Sequence, residues 1–165
     1  MKNYLRYGGY ILAAVLVIIQ FIPTKKNNSN DTTKDITTAF PVPAEVQTIL
    51  KTSCYDCHSN NTAYPWYNSI QPVAFWLAHH VDEAQHEVNF NEFASYKPRR
   101  QYKKFNEIIE QIETDEMPLA SYTIIHRETI LSPAQKTLMI DWAKSMKDTL
   151  AAHYPMDSLL IKKKI

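Results

Sequence analysis

The apolar positions of this chain form one continuous run and then a set of stripes. Tyr7 to Ile22 is almost unbroken hydrophobic sequence, with Lys2 and Arg6 before it and Lys25 and Lys26 after it. Sixteen helical residues rise about 24 Å, slightly short of a ~30 Å hydrocarbon core. Arg6 can snorkel, and Tyr4, Tyr7 and Tyr10 suit headgroup depth. No small-x-small cleavage pattern follows at Phe21-Ile22-Pro23-Thr24. Residues 1–23 therefore read as a transmembrane anchor, with a cleaved signal segment as the alternative. Residues 24–42 have no period and are rich in Lys, Asn, Thr and Asp, which predicts a flexible tether.

From residue 43 the period is helical. Val46, Ile49 and Leu50 form a first stripe. A second runs Ile70, Val73, Leu77, Val81, Ala84 and Val88. Tyr102, Phe105, Ile108, Ile109 and Ile112 form a third. The last combines Leu138, Met139, Trp142, Ala143, Met146 and Leu150. These predict helices over 43–53, 69–88 and 97–114, and one opening at Ser132. Ser132-Pro133-Ala134-Gln135 has the form of a capping box with Pro at the first helical position. The last helix is expected to cross the first, with Trp142 near the crossing. The domain then covers 43–152 and a basic tail 153–165, ending in Lys162, Lys163 and Lys164.

Composition supports an all-α fold. Gly8 and Gly9 are the only glycines, which argues against tight hairpins built on left-handed turn residues. A net charge of +1 gives no electrostatic case for nucleic acid. The third helix carries Lys97, Arg99, Arg100, Lys103 and Lys104 first and Glu107, Glu110 and Glu113 last, against its macrodipole. These charges read as a solvated face, or as an end that docks a redox partner.

The chemistry lies in Cys54-Tyr55-Asp56-Cys57-His58, and these are the only two cysteines. C-x-x-C-H is the attachment signature of a c-type haem. Two thiols so spaced can add to two vinyl groups on one porphyrin edge, with the adjacent His under the iron. A zinc site lacks a second cysteine pair. A thioredoxin-like pair is expected beside a βαβ pattern, which is absent. A plain disulfide leaves the His unexplained. A second candidate ligand is Met117 in Glu116-Met117-Pro118-Leu119, since a thioether is a soft, neutral ligand for iron. His79, His80, His86 and His126 are its rivals. Met139 and Met146 read as core. Trp66 and Tyr67 read as haem-edge packing or as core.

The stretch CYDCHSNNTAYPWYNSIQPVAFWLAHHV, with the later Met117-Pro118-Leu119, resembles a small family of haem-binding domains over roughly residues 42–150. Its members are exported or membrane-tethered single-haem proteins resembling class I cytochromes c. The resemblance implies a cytochrome c-like helical domain around one covalent haem c. Cys54 and Cys57 would hold the porphyrin, and His58 and Met117 the iron. The implied function is single-electron transfer with a protein redox partner, from a membrane-anchored domain on the periplasmic side of a bacterial inner membrane. No base–nucleophile constellation suggests an enzyme. A haem sensor with an open sixth position is the alternative, and a thiol–disulfide oxidoreductase a third.

Overall fold

Helices form where the stripes stand, and they end at the proline and polar punctuation between them. The computed structural model describes residues 2–160. It contains α1 (Lys2–Ile19), α2 (Ala44–Ser53), α3 (Val73–Glu87), α4 (Pro98–Glu113), α5 (Ala120–Thr123), α6 (Pro133–His153) and α7 (Met156–Leu159). Short 3-10 turns occupy Ile36–Thr38, Trp66–Ser69, Phe90–Ser95 and Arg127–Thr129. Among the described residues there is no strand, only an isolated bridge between Asn28 and Asn61. The fold is all-helical, as the composition predicts.

Local chemistry explains the helix ends. Ser132 Oγ accepts from Gln135 N–H, and Gln135 Oε1 accepts from Ser132 N–H, which completes the expected capping box of α6. α4 ends without a glycine. Asp115 takes the left-handed conformation there instead, at φ 59°, which Asp tolerates better than most side chains. The N–H groups of Glu116 and Met117 then both donate to Gln111 O, at 3.0 and 3.2 Å. The reversed chain runs directly into Met117-Pro118.

The core forms chiefly between α4 and α6. α6 packs mainly on α4; the expected meeting of the first and last domain helices, α2 and α6, is present as the smaller contact. Trp142 shows the reason. Its ring meets Phe105 of α4 at 5.7 Å between centroids, and its indole N–H donates to Pro41 O at 3.0 Å. Phe40, Phe93 and Phe105 complete the aromatic nucleus at 5.0–5.9 Å, within the range of favourable edge-to-face contact.

Four further expectations change. The tether is laid onto the domain: Ile36 is 0% exposed, and Asp35 and Phe40 are buried. Two apolar residues in a polar stretch are enough to fix it once Asp35 finds partners. No helix among the described residues is long and apolar enough to cross a membrane. α1 begins with Lys2, Asn3 and Arg6 and stops at Ile19, leaving an apolar section of about 20 Å against ~30 Å of hydrocarbon. The expected transmembrane helix is therefore unsupported. In α3 the buried residues are Ala74, Leu77 and Val81, whereas Ile70 and Val73 are exposed. Residues 156–159 of the expected tail form α7 against α4, with Leu159 buried. Lys162, Lys163 and Lys164 lie outside the described residues.

Candidate functional site

α2 delivers the cysteine motif. Cys54 N–H still donates to Leu50 O at 2.9 Å, and the N–H groups of Cys57 and His58 both donate to Cys54 O, at 3.2 and 2.9 Å. Cys54 to His58 thus closes one turn after the helix.

His58 is held by the C-terminal end of α3. Its Nδ1 lies 2.9 Å from Val88 O and 3.0 Å from Ala84 O. Both partners are acceptors, so Nδ1 carries the proton and Nε2 keeps its lone pair. A carbonyl partner behind the ring is the arrangement that orients metal-ligating histidines. Burial holds His58 below the ordinary histidine range, in the neutral form that ligates metal. The thiols are raised. Cys54 is pushed up to about 12 by burial and then by neighbouring Cys57. Cys57 is pushed up to about 11 by burial and then by Asp56. Both are neutral at physiological pH, the opposite of an attacking thiolate.

The two residues between the cysteines are tied down on separate sides. Tyr55 O–H donates to Asp35 Oδ2 at 2.8 Å, and its ring stacks on Phe90 at 5.5 Å. Asp35 also accepts from Asn91 Nδ2 at 2.7 Å and Thr37 N–H at 2.9 Å. On the other side Tyr122 O–H donates to Asp56 Oδ2 at 2.5 Å. Burial, and then these carboxylate acceptors, push both phenols well above the usual tyrosine range.

Two cavities, of about 380 and 600 Å³, share a wall made of Ser53, Cys54, His58, Glu87, Met117 and Pro118. The smaller is otherwise largely apolar, with Val88, Phe90, Ile112, Leu131 and Met139 in its lining, and Lys104 supplies its cation. The larger adds Asp56, Cys57, His80, His86 and Tyr122. The fold therefore gathers Cys54, Cys57, His58 and Met117, which are spread over 64 positions of sequence (117 − 54 + 1), around one space.

The other expected residues sit elsewhere. Trp66 is 78% exposed, and neither it nor Tyr67 lines either cavity. Tyr67 O–H meets His126 Nε2 at 2.8 Å, and His126 stacks on Tyr122 at 4.3 Å, so this pair supports the motif only through Tyr122. His126 lines neither cavity. His79 is exposed beside Glu83 at 3.3 Å. His80 packs on Trp76 at 4.2 Å and, with exposed His86, lines the larger cavity. Lys104, read as one of several solvated cations, is 6% exposed and bonds Glu107 at 2.6 Å and Glu87 at 2.8 Å. The only advance signal was its i,i+3 spacing from Glu107. Asp35, Tyr55, Asp56 and Tyr122 carry no local signal.

A family model described as "Haem-binding domain" matches residues 14–145 of the chain. Searches of curated proteins and of solved structures return no match.

Proposed function

The chain belongs to the haem-binding domain family, and from that premise we propose that it is a single-haem c-type cytochrome that transfers one electron at a time. The observation that carries this is the shared cavity wall. Cys54, His58 and Met117 meet there, and His58 is fixed behind its ring so that Nε2 remains the available donor. The residues present fit the group: two thiols, a neutral imidazole, a thioether and an apolar lining. A bound haem supplies the reversible ferric–ferrous couple.

The chain's own residues do the rest. Cys54 and Cys57 would hold the porphyrin edge through thioether links. His58 Nε2 and Met117 Sδ would hold the iron, and a thioether ligand raises the iron's potential. Val88, Phe90, Ile112 and Leu131 give the cavity an apolar wall on which a porphyrin would pack. Lys104 places a cation on its wall, fixed by Glu87 and Glu107. The neutral thiols speak against a disulfide-exchange role. Covalent haem attachment of this kind takes place outside the inner membrane, so the proposed compartment is periplasmic. The apolar α1 would bring the domain to the membrane, where a protein partner exchanges electrons with it.

Absorption spectra of the exported protein in both redox states test this reading. One haem per chain that survives denaturation and acid–acetone extraction is expected. Low-spin ferric iron with a sulfur-to-iron charge-transfer band, lost in Met117→Ala, is also expected. Extractable haem overturns covalent attachment. High-spin iron that binds carbon monoxide in the unaltered protein points to the sensor instead.

A further inference from the structure

α1 is fastened to the domain at one joint. Gln71 N–H donates to Gln20 Oε1 at 2.9 Å, Gln20 Nε2 donates to Gln71 O at 3.2 Å, and Gln71 Nε2 donates to Ile22 O at 3.1 Å. Gln71 is buried, just before the first turn of α3. Around this polar joint the apolar side chains face outward. Phe21, Ile22, Trp66, Ile70, Phe75 and Trp76 are all exposed, Phe21 at 83%. None of them lines the cavities at the cysteine motif. On α1, Tyr7, Ile11, Val15 and Ile18 are exposed as well. An open apolar surface of this extent marks an interaction site.

The neighbouring charge indicates the partner. Lys25 and Lys26 follow α1 directly and line a hollow of about 410 Å³ with Ser29, Tyr64 and Gln85, where Asp82 is the acidic member. Tryptophan collects at the boundary between hydrocarbon and water, and lysines beside an apolar surface suit an anionic leaflet. We propose that this edge is a membrane-docking face. α1 and Phe21 would enter the acyl boundary, Trp66, Phe75 and Trp76 would seat at headgroup depth, and Lys25 and Lys26 would meet anionic headgroups. Seating tryptophans at headgroup depth requires no crossing. The inference rests on the reading that α1 brings the domain to a membrane. It adds a second contact, which holds the haem domain in one orientation and gives exposed Trp66 a role.

The test uses the haem-loaded full chain, reduced and labelled with 5-fluorotryptophan, on phosphatidylcholine–phosphatidylglycerol vesicles containing a nitroxide lipid. The three tryptophans give three fluorine resonances, assigned by single Trp→Phe changes. Those of Trp66 and Trp76 are expected to broaden severalfold, and that of buried Trp142 to stay unchanged. The pair Lys25→Glu and Lys26→Glu should weaken binding to the anionic vesicles by about ten-fold or more, with little effect on neutral ones. Vesicle binding without broadening of Trp66 and Trp76 overturns the docking face and leaves anchoring by α1 in place. Failure to float with vesicles overturns both. A stable dimer by light scattering that Trp66→Ser with Trp76→Ser dissolves assigns the face to a second copy and overturns the proposal.

Discussion

Tyr122 closes the cysteine motif from outside, through its hydrogen bond to Asp56, and it stands five residues beyond Met117 (122 − 117). Tyr122→Phe leaves Asp56 Oδ2 without that donor. The expected loss is about 1 kcal/mol in urea unfolding, with a weaker Met-dependent charge-transfer band; an unchanged spectrum removes Tyr122 from any role in positioning Met117. Asp35 is the matching anchor on the other side. Asp35→Ala strands the donors of Tyr55, Asn91 and Thr37, and about 3 kcal/mol of stability should go with them, read from the denaturation midpoint. Cys54, Cys57 and His58 could be picked out along the chain as candidates because their residue types and spacing are local features. Met117 stood out as a candidate from its Pro-containing loop, and the fold brings it to the same wall as His58. Asp35 and Tyr122 did not stand out, because their partners lie 20 and 66 residues away.

Among the elements, α4 shows how a charge pattern changes meaning on folding. Its early lysines oppose the macrodipole, and the fold answers with Lys103–Glu107, Lys104–Glu107 and Lys104–Glu87 pairs at 2.6–2.8 Å. The Lys104 hydrogen bond holds the Glu87 carboxyl below its ordinary range. Burial alone would raise Glu107, but bonds from Lys103 and Lys104 outweigh it and Glu107 also ends low. A carboxyl depressed in the folded state stabilises at pH values above its unfolded pKa, about 4.3, and that contribution disappears as pH falls through the folded value. Acidification from pH 6 to 3.5 should therefore lower the urea midpoint, and the double variant Glu87→Gln and Glu107→Gln should flatten part of that slope. Both carboxyls are partly or largely exposed, so the pH-dependent part of the difference should stay below about 1 kcal/mol. An equal slope in both proteins would remove these pairs as the source. The stripes of α2, α4 and α6 were readable because helical period is a local property. Which residues of α3 are buried was not, since the choice of Ala74 over Val73 depends on what packs against the helix.

For the molecule as a whole, residues 24–42 decide what counts as the domain. Given a cleavable export signal in place of α1, a chain beginning at residue 24 should fold and load haem, whereas one beginning at 43 should lose about 3–6 kcal/mol from Ile36 and Phe40 alone. That is a large part of an ordinary domain's 5–15 kcal/mol, and thermal melts and haem yield would register it. Equal melting of the two truncations would return the segment to the role of a linker. Sequence alone determined the helical class, most ends of the main helices and the haem-binding family, while the helix expected from residue 69 starts at Val73. These follow from helical period, proline placement and the Cys-x-x-Cys-His spacing, all carried by neighbours along the chain. Only the tertiary structure decided that a polar stretch joins the core, that α6 lies on α4, that Lys104 is buried, and that His58 and Met117 share one wall. Each depends on which faces meet after the chain has turned back on itself, and a buried donor or charge takes its partner from whatever the fold brings within about 3 Å.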